Sequence, residues 1–193
     1  MKILIDNGHG VDTKGKRSPN GRLLEYAENR LLASRIVSAL KAQGLDAELL
    51  VPEDNDVSLF QRCDRVNRFC YALGKENVIL VSIHCNAAGK GDRWYNATGW
   101  CAYTTPKDTP ADRLATCLNN AAQIHIPDQR LRMDLTDGDP DIEASFYLLR
   151  HTSCPTVLTE NLFMDNQADV DYLLSDIGQA NLVNLHVTGI NFY

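Results

Sequence analysis

Residues 77–84 read Asn-Val-Ile-Leu-Val-Ser-Ile-His, "NVILVSIH". Apart from Ser82, everything between Asn77 and His84 is apolar, and the stretch has the length of a strand rather than a helix. A strand with one wet face alternates apolar and polar residues, whereas an unbroken run belongs to a strand covered on both faces, as in a parallel sheet. Working outward, residues 2–6 and 46–51 read as further strands, "TGWCAYTT" (98–105) as another, and "TVLTE" (156–160) as a late one. Between the first two, "LLEYAENRLLASRIVSALKAQG" places Leu24, Ala27, Leu31, Ile36 and Leu40 at helical spacing and stops at Gly44. A second helix begins after Asp56, with Phe60, Cys63, Val66, Cys70 and Leu73 as its apolar stripe. In residues 109–124, Thr109 is placed to cap a helix and Pro110 to open it. The tail from Ala168 to Ile190 holds two helical patterns broken near Gly178. Residues 127–145 are acidic and aperiodic. Alternating strands and helices predict an α/β fold. It would be a single domain over residues 1–193, with a twisted, mostly parallel sheet of about six strands and helices on both faces.

Composition narrows the function. The 193 residues are 44% hydrophobic and 23% charged, enough for one sizeable core. The formal charge of -6 and the lack of clustered Lys and Arg argue against nucleic acid as a partner. No stretch has the length of a membrane span. No signal peptide is read at the start, because the run after Lys2 stops at Asp6. The expectation is a chain cytoplasmic at synthesis that acts elsewhere after release or export, or one whose leader was removed. Cys63, Cys70, Cys85, Cys101, Cys117 and Cys154 form no Cys-x-x-Cys pair and are expected as buried free thiols.

Chemistry collects at the ends of the strands. The first runs into Asp-Asn-Gly-His-Gly, with His9 between two glycines; the central one ends at His84; the late one ends at Glu160. In a parallel sheet these carboxyl ends share one edge, so residues far apart in sequence converge there. Glu25, in the first turn of the helix after the first strand, joins the same edge. Two imidazoles and a carboxylate, with one position open, make up a catalytic zinc set. The metal would polarise a carbonyl and ease the loss of a proton from water. A second glutamate would serve as acid and base. Spacing alone does not say which of Glu25 and Glu160 takes which role.

"IDNGHG", the Glu25 segment "LLE", "VSIHCNA", "YLLRHTSCPTVLTENLFMDN" and the helical tail resemble the zinc-dependent N-acetylmuramoyl-L-alanine amidases of the third type. Nearly the whole chain takes part in the resemblance, with the motifs in the same order. It implies hydrolysis of the amide between the lactyl group of N-acetylmuramic acid and the L-alanine of the peptidoglycan stem peptide. By the same resemblance His9, Glu25 and His84 bind one Zn2+ per chain, and Glu160 is the catalytic acid/base. A monomer acting on peptidoglycan, with no nucleic-acid partner, is expected. The chain departs from the family pattern at Asn7, usually proline, at Val11, often glycine, and at Asn161-Leu162, usually small residues.

Other features have plainer readings. His125, His151 and His186 lack such placement and are read as structural. Cys85 neighbours His84 on one strand, so the two side chains point to opposite faces and cannot act as a nucleophile–base pair. Asp137, Asp139, Asp141 and Glu143 alternate as in a calcium loop, but the glycine is misplaced and Leu148 stands where a bidentate glutamate belongs. A solvated acidic loop bordering the substrate groove is expected. Trp94, Tyr95 and Trp100 could stack on sugar or peptide, or simply pack. Two rival functions share the fold: a wall-binding module that has lost turnover, and a zinc amidase or peptidase acting on a soluble peptide.

Overall fold

The computed structural model describes residues 1–193. Six strands form one sheet: β1 (Lys2–Asn7), β2 (Asp46–Leu49), β3 (Val78–Asn86), β4 (Cys101–Thr104), β5 (Ile142–Glu143) and β6 (Thr156–Phe163). Their spatial order is β2-β1-β3-β6-β4-β5. The first four run parallel; β4 is antiparallel to β6, and the two-residue β5 is parallel to β4. The expected mostly parallel α/β sheet is what forms.

The apolar run of β3 explains the layering. Ile79, Val81, Ile83 and Cys85 face a large core shared with α1 (Glu25–Ala42), α3 (Pro110–His125) and α6 (Asp176–Phe192). Val78 and Leu80 face a smaller core under α2 (Leu59–Leu73), which also takes in Leu148 of the short α4 (Tyr147–His151). Each fully buried Val, Leu or Ile contributes about 1.5–3 kcal/mol, so a strand with no wet face is among the most stabilising segments per residue. The cysteines are free thiols, and all but the half-buried Cys117 are buried. No helix is long and apolar enough to cross a membrane.

Three expectations are corrected. On α1 the inward face is Glu25, Glu28, Asn29, Leu32, Ala33, Ile36, Val37 and Leu40, while Leu24, Ala27 and Leu31 are exposed. The helix starts at Glu25 with that carboxylate turned inward, and this fixes its rotation. On α2 the inward face is Arg62, Cys63, Val66 and Cys70, while Phe60 is 70% exposed. The tail breaks at Leu174–Ser175, after α5 (Gln167–Leu173), and not near Gly178. Ser175 caps α6, its hydroxyl accepting a hydrogen bond from the Gly178 amide at 3.0 Å. Gly178 therefore lies inside the helix, and it is glycine because a Cβ there would sit 1.9 Å from the Tyr172 carbonyl oxygen. Backbone cannot yield as a flexible side chain can, so Gly178→Ala is expected to lower stability by about 1–3 kcal/mol. A urea midpoint equal to that of the parent chain would contradict this.

Candidate functional site

The sheet changes winding direction between β1 and β3. From β1 the chain crosses through α1 to β2 on one side; from β2 it crosses through α2 to β3 on the other. The crevice outside the carboxyl ends at such a switch point is the usual ligand site of open α/β sheets. His9 follows β1, His84 lies near the end of β3, Glu25 opens α1, and Glu160 on β6 pairs in register with His84.

His9, Glu25 and His84 meet. One donor atom from each lies within 4.8 Å of the other two. Glu25 Oε1 is 3.3 Å from His9 Nε2 and 3.2 Å from His84 Nδ1, and it accepts a hydrogen bond from the Cys85 amide at 3.3 Å. Burial works to raise the Glu25 carboxyl pKa, but hydrogen bonds from the His84 and His9 rings outweigh it and hold the group well below the usual carboxylate range. Its Oε2 is buried without a hydrogen-bond partner, and Lys16 Nζ stands 3.9 Å away. A buried carboxylate with one free oxygen beside two imidazoles fits a divalent cation, and the nitrogen–oxygen donor set suits zinc.

The local backbone is shaped for this meeting. The His84 ring lies against Gly8, where a Cβ would come within 2.1 Å of its Cε1. His9 adopts φ 68°, a left-handed conformation that costs a non-glycine residue about 1–2 kcal/mol. Glu160 lines the same cleft, of about 400 Å³, together with His9, His84, Lys16 and Arg62. Burial, and then the negative charge of Glu25, pushes the Glu160 carboxyl well above its ordinary pKa, and its Oε2 has no partner. Leu59, Phe146, Tyr147 and Leu158 give the cleft an apolar wall.

A family model described as N-acetylmuramoyl-L-alanine amidase matches residues 3–191. The chain belongs to that amidase family. Among its relatives, the N-acetylmuramoyl-L-alanine amidase CwlM of Bacillus licheniformis is 28% identical over 190 residues, which are 98% of this chain and 67% of CwlM. LytC of Bacillus subtilis, of the same description, is 30% identical over 172 residues, 89% of this chain and 31% of LytC. Among solved structures, the amidase AmiC2 of Nostoc punctiforme superposes with a TM-score of 0.81 at 26% identity, covering 99% of this chain and 95% of AmiC2. Membership makes the chain a hydrolase of peptidoglycan amides by class, and sets aside the reading of a module without catalysis.

The remaining residues of this amidase fall into place around the site. Cys85 packs in the large core, where burial raises its thiol pKa far above the ordinary value, so it is no nucleophile. Trp100 is fully buried, its Nε1 donating to Asn161 Oδ1 at 3.0 Å, and offers no stacking surface. The acidic loop does not border the cleft. Asp137, Asp139, Asp141 and Glu143 line a separate hollow with Thr104 and Asp112. Within it Asp141 is buried, and burial beside Asp139 pushes its pKa up to about 7. His125 bonds Thr188, and His151 stacks on Tyr147. Arg62, missing from the sequence reading, is 2% exposed and reaches the backbone of the His9 loop. The signal was available: a charged residue four before Val66, on the stripe that proved to be buried.

His186 is structural, and its own contribution to stability is lost in acid. Its Nδ1 donates to the Leu182 carbonyl at 2.8 Å, so Nε2, 3.0 Å from Thr159 Oγ1, is the acceptor of that hydroxyl. Burial lowers its pKa to about 4, against 6.5 when exposed. The unfolded chain therefore binds a proton between these values while the folded chain does not. The contribution of His186 is full above pH 6.5 and falls as pH drops toward 4, by about 2 kcal/mol between pH 7 and 5. Glu28 and Asp141, both raised to about 7 chiefly by burial, act with the opposite sign across that window. The His186 share is therefore read as a difference: the urea stability of the parent chain relative to His186→Gln should fall by about 2 kcal/mol from pH 7 to pH 5, and a difference independent of pH would acquit His186.

Proposed function

We propose that the chain hydrolyses the amide between the lactyl group of N-acetylmuramic acid and the L-alanine of the stem peptide, using one zinc ion held by His9, Glu25 and His84, with Glu160 as acid and base. The observation that carries this reading is the convergence of those three donors beneath a cleft that His9, His84 and Glu160 line, with Glu160 in register with His84. A zinc ion held there would supply Lewis-acid chemistry, polarising the scissile carbonyl and easing deprotonation of water.

The protein's own groups do the rest. Glu160 takes a proton from the attacking water as the oxygen adds to the lactyl carbonyl carbon. It then gives that proton to the alanine nitrogen as the carbon–nitrogen bond breaks, leaving a free carboxyl group and a free amino terminus. The buried floor around Glu25 limits water, which strengthens charge interactions within the cleft. The site needs no residue from a second copy, and the working form proposed is a monomer. Peptidoglycan lies outside the cytoplasmic membrane, so the chain would act after release or export.

Glu160→Ala is expected to retain one zinc per chain by elemental analysis, while release of L-alanine amino termini from purified walls falls by roughly 10²–10⁴-fold. A chelator should abolish release by the parent protein and added zinc should restore it. Mass spectrometry of the products identifies the bond cut. Undiminished release by Glu160→Ala would remove that residue from the chemistry; indifference to the chelator would remove the metal.

A further inference from the structure

Arg62 projects from α2 into the floor of the cleft and places its donors on two short stretches of chain, 6–9 and 56–57. Nη1 donates to Asp6 Oδ1 at 2.5 Å and to the Asn7 carbonyl at 3.1 Å. Nη2 donates to the His9 carbonyl at 3.4 Å and to Asp56 Oδ1 at 2.8 Å, and Nε donates to the Val57 carbonyl at 2.7 Å. The guanidinium thus joins the end of β1, the carbonyl of His9 and the segment before α2.

That segment also grips the His9 loop from outside. Asp56 Oδ2 accepts from the Thr13 hydroxyl at 2.7 Å, and that hydroxyl accepts from the Gly10 amide at 3.0 Å. The Val11 amide donates to the Asp54 carbonyl at 2.9 Å. Gly10 is pressed against Asp56, where a Cβ would lie 2.0 Å from the backbone nitrogen. His9, in the middle, holds its left-handed backbone, a conformation that persists only where its surroundings over-determine it.

We infer that Arg62 is a positioning residue: by fixing the carbonyls of Asn7 and His9 against Asp6 and Asp56, it aims the His9 ring at Glu25 and His84. For zinc affinity this rests on the metal reading above; for loop order it stands on its own. A lysine could keep the charge beside Asp6 but has no planar guanidinium to serve five acceptor residues at once.

The test compares the parent protein with Arg62→Met, Arg62→Lys and Thr13→Val, the last being a milder cut at the outer end of the network. Leu118→Ala, buried between α3 and α6, is a control for lost stability alone. In metal-free protein, exchange of the Gly8, Gly10 and Val11 amides should speed up at least about tenfold more in Arg62→Met than in Leu118→Ala, while the β3 amides, which open with the whole fold, speed up in both. Zinc affinity by chelator competition should fall about 10–100-fold, less in Arg62→Lys and Thr13→Val, and should stay within about twofold in Leu118→Ala. Parent-like exchange and affinity in Arg62→Met would overturn the inference, as would an equal loss of affinity in Leu118→Ala. Should Arg62→Met not fold, parent-like exchange and affinity in Thr13→Val would overturn it in its place. A parent protein that binds no zinc would sink the metal reading, while the exchange comparison would still decide the role of Arg62.

Discussion

A carboxylate taken out of water must be met by charge or by hydrogen-bond donors, and the edge of this sheet buries two of them, each only 1% exposed. Asp6 and Glu25 are solved differently. Asp6 has a permanent cation, Arg62, on one oxygen and the Ser82 hydroxyl on the other at 2.6 Å. Removing one partner of such a pair costs about 3–5 kcal/mol, so Asp6 and Arg62 are bound together by the stability of the fold. Glu25 has two imidazoles and the Cys85 amide on one oxygen, and facing the other only the Lys16 ammonium at 3.9 Å, beyond hydrogen-bond reach. A charge-assisted hydrogen bond adds about 1.5–3 kcal/mol, and these leave the deficit of a buried negative charge only partly covered. The first carboxylate is a closed structural pair; the second is built to be completed by something positive.

Topology places these two solutions side by side. Asp6 sits on β1 just before the loop that carries His9, and Arg62 arrives from α2, the crossover that brings the chain to the far side of β1. Glu25 arrives from α1, the crossover on the opposite face. One helix thus braces the His9 loop and the other supplies the carboxylate, because the winding reverses between β1 and β3. Parallel register then sets Glu160 level with His84 on the neighbouring strand, at no cost beyond the sheet hydrogen bonds that are needed anyway.

The five longer strands, and the placing of His9, His84 and Glu160 on one edge, were legible in the sequence because they rest on a short local pattern: an apolar run with an ionisable residue at or just past its end. The capped start of α3 at Thr109-Pro110 was legible for the same reason. Glu25 was placed by the start of a helix, and its proposed role by the family resemblance. The rotations of α1 and α2 were legible only in part. Ile36, Leu40, Cys63, Val66 and Cys70 face inward as their spacing predicts, but Leu24, Ala27, Leu31, Phe60 and Leu73 are exposed, because the tertiary demand to bury Glu25 and Arg62 turns each helix by part of a turn. A buried charge defeats a hydrophobicity pattern, since what makes its burial affordable is a partner dozens of residues away. β5 and α4 are too short to carry a period, and the break before α6 depends on how Ser175 caps the helix and Tyr172 crowds Gly178.

The departures at Asn161-Leu162 become intelligible at the same level. Asn161 follows the proposed acid/base and joins three neighbours: its Oδ1 accepts from Trp100, and its Nδ2 donates to the His84 carbonyl at 3.1 Å and to Thr159 Oγ1 at 3.2 Å. A small residue would leave the Trp100 indole and the His84 carbonyl without these partners, each buried loss costing about 1–3 kcal/mol. Leu162 takes φ 65° where the pairing of β3 with β6 slips, so that Phe163 comes opposite Asn86. This irregularity lies past Glu160, so it reshapes the rim and leaves the His84–Glu160 pairing intact. Because the asparagine also fixes Trp100 indoors, aromatic surface for the cleft comes from Phe146 and Tyr147 on the facing wall. The aromatic part of that wall is therefore built by residues 146–147 at the start of α4, apart from the segments that carry His9, Glu25, His84 and Glu160, while Leu158, two residues before Glu160, ties the rest of the wall to β6.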